Sequence, residues 1–149
     1  MGERPSPARM CFGCGSENPH GLGMHFRLED GRAFADFTPP PHIQGFPGQV
    51  HGGGLVTMLD EAMGWAAYAQ GAWAMTARLS TRFRRPAPLG APLAIEGWVA
   101  RDRGRFLELR AEARDRDGAL VAEGEGIFVR VSGQRAEELR RAYEASRSG

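Results

Sequence analysis

The stretch of this chain best equipped for chemistry is His51-Gly52-Gly53-Gly54-Leu55-Val56-Thr57-Met58-Leu59-Asp60-Glu61. Three glycines open a segment whose pattern predicts a helix over residues 53–70, apolar on nearly every side through Tyr68 and Ala69. Asp60 and Glu61 are its only charges, and they stand in its middle. A helix without a polar face must be buried, and a carboxylate inside it is costly unless it has a task. Adjacent helical residues point about 100° apart, so only one of the two acids can face a given site. Asp60 shares its face with Val56, Thr57, Met63, Gly64 and Ala67, small or flexible groups that leave room for a ligand. Glu61 lies with Met58, Trp65 and Tyr68.

The rest of the chain must build walls around that helix. Met24–Glu29 and Arg32–Thr38 read as two short strands joined by an Asp30-Gly31 turn. Pro39-Pro40-Pro41 ends regular structure, and a Gly- and Pro-containing loop leads to the glycines. Gly71 fits the helix stop. Beyond it the period changes from 3.6 to 2. Met75, Ala77, Leu79, Thr81 and Phe83 alternate with Thr76, Arg78, Ser80, Arg82 and Arg84, predicting a half-buried strand. Leu93–Arg101, Phe106–Arg114 and Leu120–Val131 follow as a meander with turns at Gly104 and Asp117-Gly118. Residues 134–148 read as a charged, solvated helix with little apolar stripe, and residues 1–10 as a disordered leader. One domain, residues 11–133, lies between them. The pattern alone gives the α+β class: one central helix wrapped by long antiparallel strands.

Composition excludes more than it assigns. At 149 residues the chain has one domain's length. A net charge of +1 points away from nucleic acid and from membrane surfaces. All 19 basic residues are arginine, so any phosphate is held by arginine. Asp60 and Glu61 interrupt the longest apolar run below the length of a membrane span, and Met1–Met10 has no signal-peptide core. A cytoplasmic location is the expectation. Cys11-Phe12-Gly13-Cys14 supplies half of a zinc site. His20 and His25 could complete it by count, but the residues between look like turns before a strand. The expectation is reduced, packed thiols and no metal.

Three separated motifs now converge. Cys11-Phe12-Gly13-Cys14-Gly15 with Asn18-Pro19 and Gly21-Leu22 opens the chain, then comes His51-Gly52-Gly53-Gly54 with Asp60. Thr76-Ala77-Arg78-Leu79-Ser80-Thr81-Arg82-Phe83-Arg84-Arg85-Pro86 follows in the same order. The set, spanning about residues 11–131, resembles the hotdog-fold acyl-CoA thioesterases of the phenylacetate-pathway (PaaI) type. The resemblance implies a curved antiparallel β-sheet wrapped around one long central α-helix, assembled as a homodimer or a dimer of dimers. It implies an acyl-CoA substrate and no cofactor.

By the same resemblance the Gly52 N–H is the oxyanion donor. Free N–H groups at a helix start, aided by the dipole, suit that task, and Gly53 beside it lets the acyl group come close to the backbone. Asp60 matches the acidic position, as nucleophile or as general base on water. It lies about two turns from Gly52, about 12 Å by rise, too far to serve the same carbonyl. The family builds its sites across a dimer interface, so Gly52 of one protomer would meet Asp60 of its partner. Glu61 is assigned a structural role, paired with an arginine. Thr76 matches a hydroxyl that orients the water or the carboxylate, although a strand threonine is by itself only a strand former. His51 orients the glycine loop, holds substrate, or is simply structural. Arg82 and Arg84, read as sharing the strand face of Thr76, and Arg103 and Arg105, crowding the Gly104 turn with Arg101, match positions that contact the nucleotide.

Two other readings share the scaffold. Hotdog hydratases and dehydratases carry a catalytic histidine before Phe-Pro; here Gly45 precedes Phe46-Pro47 and His42 is displaced by three. A non-catalytic acyl-CoA-binding or regulatory module is the second.

Overall fold

The computed structural model describes residues 7–147. The elements are β1 (Arg27–Glu29), β2 (Arg32–Phe37), a 3-10 helix (Pro41–Ile43), α1 (Gly52–Ala69), β3 (Ala74–Phe83), β4 (Leu93–Asp102), β5 (Phe106–Arg114), β6 (Leu120–Arg130) and α2 (Gly133–Arg147). The six strands form one antiparallel sheet in the order β1-β2-β4-β5-β6-β3. The consecutive turns of the meander explain β4-β5-β6. Helix α1 is inserted between β2 and β3, and it sends the chain to opposite edges of the sheet. Asp30 and Gly31 both have positive φ, 52° and 73°, as a tight two-residue hairpin turn requires.

Helix α1 touches every strand, which a flat sheet could not allow. The sheet therefore curves around it. Met58, Leu59, Ala62, Met63 and Ala66 are fully buried against the inner face, as an all-apolar helix demands. The contact is closest at Gly97 in β4, where a Cβ would stand 2.4 Å from the Ala62 carbonyl oxygen. Backbone cannot yield as a side-chain end can. Gly97→Ala is expected to lower unfolding free energy by about 1–3 kcal/mol through overpacking, read as a shift of the urea midpoint at constant slope.

Three expectations need correction. Met24 and Phe26 are buried, but residues 24–26 carry no ladder to β2, because the Met24 N–H donates to the Gly13 carbonyl at 3.0 Å and draws the chain toward the leader loop. Pro41–Ile43 winds one 3-10 turn where only loop was read. Strand β3 is not half-buried: it is the sheet edge, almost wholly exposed, with Met75 at 58 % and Phe83 at 54 %. Helix α2 has no buried residue, yet it is tied down at one point. Tyr143 lies edge-on to Trp73, centroids 5.4 Å apart, extending a chain of rings through Tyr68 to Trp65. Of the leader read over residues 1–10, residues 1–6 lie outside the described residues.

Candidate active site

His51 caps α1. Its Nδ1 accepts the Gly53 N–H at 2.8 Å, so the proton of the neutral ring sits on Nε2. Its carbonyl accepts from Gly54 and Leu55, and its own N–H donates to Ile43 at 2.8 Å, fixing the entry of the chain. Among the described residues the Gly52 N–H has no protein acceptor. It is exposed at the positive end of the helix, as an anion donor should be.

Asp60 is half-buried two turns along. Its Oδ1 accepts the Thr76 hydroxyl at 2.7 Å. The hydroxyl fixes one carboxylate oxygen and leaves the other for chemistry. Asp60 and Thr76 line a cavity of about 360 Å³ with Phe12, Val56, Thr57 and Leu79. Phe83 approaches Gly52 at the other end of β3, so β3 runs antiparallel to α1 and passes both candidate groups.

Glu61 pairs with no arginine among the described residues, contrary to its assignment from sequence. Its Oε1 instead accepts from the Cys11 thiol, Sγ to oxygen 3.6 Å. Burial pushes its carboxyl up to about 7. The neighbouring Cys14 side chain draws the Cys11 pKa down. His20 and His25 take no part in this cluster; both are exposed.

The arginines divide. A bulge at Ala77 shifts the register, so Thr76 stands opposite Phe128 and faces the helix, whereas Arg82 stands opposite Glu123 on the outer face. Arg82 and Arg84 therefore do not share the face of Thr76. Arg84 pairs with Glu123 at 3.3 Å, and Arg82 has no carboxylate partner among the described residues. At the β4–β5 turn Arg103 and Arg101 both reach Glu108, at 3.3 and 3.8 Å. Arg105 lies over the Phe106 ring and lines a cavity of about 350 Å³ with Arg130, Arg135 and Met75. Arg130 and Arg135 carried no signal in the sequence; only the fold brings them beside Arg105.

Residues 47–122, which hold the glycines, Asp60 and Thr76, match the model of the thioesterase superfamily. The chain belongs to that superfamily. A bovine relative, acyl-coenzyme A thioesterase THEM4 of Bos taurus, is 33% identical over 139 residues, 90% of this chain and 56% of its own length. The chain thus spans about half the length of the curated relatives it matches. A crystal structure of a thioesterase superfamily protein is 36% identical, with a TM-score of 0.77 over 81% of this chain and 60% of that one. The Escherichia coli PaaI protein superposes with a TM-score of 0.70 at 24% identity, covering 75% of this chain and 82% of its own, and shows the shared hotdog fold.

Proposed function

We propose that this superfamily member hydrolyses acyl-CoA thioesters to free acid and CoA, in a site composed from two protomers. The observation that carries the reading is the Thr76 hydroxyl on Asp60, at 2.7 Å, on a helix that begins with an unengaged Gly52 N–H. The bovine relative's name, acyl-coenzyme A thioesterase, supports the substrate class.

Asp60 takes a proton from a water that attacks the thioester carbonyl, or attacks the carbonyl itself to form a mixed anhydride that water then hydrolyses to the free acid. In either case the carbonyl oxygen becomes an oxyanion and is received by the Gly52 N–H at the start of the partner's helix. As the oxyanion collapses the C–S bond breaks, and the CoA thiolate leaves and takes a proton from Asp60 or from water. The outer edge of β3 supports the dimer: the ten-residue strand pairs with β6 on one side only, and with exposed Met75 and Phe83 it offers an edge that a second copy can cover. Antiparallel pairing of two such edges about a dyad near Leu79 exchanges their ends. The Thr76 end of one protomer then meets the Phe83 end of the other, which carries Gly52. Arg82 arrives with it, free to bind phosphate, near Arg105, Arg130 and Arg135 of the first. A cytoplasmic location accompanies this reading, since CoA thioesters and reduced thiols belong there.

The dehydratase reading has no support in the site. The ring of His42 is engaged at 2.7 Å with the Gly21 carbonyl, and Gly45 packs against His51. Release of free thiol from a panel of aromatic, short-chain and long-chain acyl-CoAs tests the proposal. Turnover of at least one class, by a species that light scattering shows to be dimeric or larger, is the expected outcome. Binding without hydrolysis would replace it with the non-catalytic module, and hydration of an enoyl-CoA with the hydratase.

A further inference from the structure

We propose that Cys11, Cys14 and Glu61 bind a divalent cation of the zinc class, which ties the leader loop to α1 beside the candidate active site. The two sulfur atoms and a carboxylate oxygen lie within 4.8 Å of one another. Cys11 Sγ and Glu61 Oε1 are 3.6 Å apart. A tetrahedral zinc ion, at about 2.3 Å from sulfur and about 2.0 Å from oxygen, sets its ligand atoms roughly 3.5–3.8 Å apart. The Cys11–Glu61 separation already matches that spacing, and the Cys14 sulfur stands within 4.8 Å of both.

The loop is shaped for the purpose. The N–H of Gly15 donates to the Cys11 carbonyl at 2.9 Å, closing a tight turn that holds Cys11 and Cys14 together. Gly13 is seated on Glu61: a Cβ there would stand 2.1 Å from Glu61 Cγ. The sequence spacing offered only two ligands and suggested histidines for the rest. The fold supplies the third from a helix fifty residues away.

The surroundings call for a cation. Cys14 is 4 % exposed, and Glu61 has no cationic partner among the described residues. Beside them, Trp65, Tyr68, Trp73 and Tyr143 line a largely apolar cavity of about 350 Å³ that offers the carboxylate little solvation. A dipositive ion offsets two of the three negative charges of two thiolates and a carboxylate; on binding, each thiol, and the carboxyl where it is protonated, releases its proton to water. Thiolate ligands select zinc over magnesium or calcium. Three protein ligands leave a fourth position. Because Cys11 and Glu61 also line the cavity that holds Asp60 and Thr76, water from either cavity can fill it.

The site stands independently of the hydrolase reading and is tested without activity. Fully reduced, chelator-stripped protein is titrated anaerobically with cobalt(II). Expected are one equivalent per chain, a near-ultraviolet thiolate-to-cobalt charge-transfer band, the visible bands of tetrahedral cobalt, and their bleaching by one equivalent of zinc(II). Cys14→Ser and the less buried Cys11→Ser should each remove the charge-transfer intensity. Glu61→Gln should keep part of it and bind about tenfold or more weakly, since losing a direct ligand costs at least as much as losing an outer partner. Absence of the band in reduced wild type, or its survival in both cysteine variants, would overturn the proposal.

Discussion

Asp60→Asn is expected to lower acyl-CoA hydrolysis by about 10²–10⁴-fold, the usual contribution of a positioned acid–base group. The substitution keeps size and shape. Asn Oδ1 can still accept the Thr76 hydroxyl that now holds Asp60 at 2.7 Å, so neither α1 nor β3 need move. What disappears is basicity and nucleophilicity, since an amide has neither at neutral pH. The loss should fall on kcat, with KM little changed, because the carboxylate acts on the reacting atoms and does not hold the CoA tail. Thr76→Ala tests the hydrogen bond separately. It leaves the carboxylate in place but free to turn, and should cost about tenfold, well short of losing the acid itself. Thermal melting of both variants checks that the fold survives. An Asp60→Asn protein as fast as wild type would remove Asp60 from the chemistry and make its neighbour Glu61 the carboxylate to test.

Helical geometry told only that Asp60 and Glu61 point apart; the choice of Asp60 came from the resemblance, and the structure sets Asp60, not Glu61, against Thr76. Helical periodicity is local, so a run such as Leu55-Val56-Thr57-Met58-Leu59 fixes both the helix and the direction of each side chain. The helix was read over 53–70 and spans Gly52–Ala69. The meander strands were likewise placed by their alternation and turns. Strand β3 shows where this stops. Its alternation was real, but a bulge at Ala77 inverts the parity after Thr76, and nothing in Thr76-Ala77-Arg78 announces it. Arg82 and Arg84, the candidates for holding phosphate, were therefore put on the face of Thr76, which they do not share. The half-buried pattern also presupposed a neighbour that a single chain does not contain. Contacts made only by the fold were equally invisible: Cys11 against Glu61, and Arg105 beside Arg130 and Arg135. Residue types named the candidates there, and only tertiary structure could group them.

The composite site makes the sharpest prediction, because two dead variants should restore each other. Gly52→Pro removes the N–H proposed as oxyanion donor and nothing else that the helix uses. Gly52 is the first residue of α1, where proline's fixed φ is suited and its missing donor costs no helical bond. His51, with φ −60° and ψ 139°, already has the extended conformation that a following proline requires. The nearest atom to an added Cβ is Phe83 Cζ at 3.7 Å, an ordinary contact. Alone, the variant should fold and lose about 10²–10³-fold in kcat, as for removal of one oxyanion donor elsewhere. Mixed with Asp60→Asn and allowed to exchange subunits, it forms heterodimers in which one site carries both defects and the other carries neither. Random pairing at equal amounts makes half the dimers mixed, each with one intact site of two, so activity should return to about a quarter of wild type. A site built within one chain gives no such recovery, since every chain in the mixture is then defective. A mixture that exchanges subunits and stays inactive would therefore end the shared-site proposal while leaving Asp60 itself open to the first test.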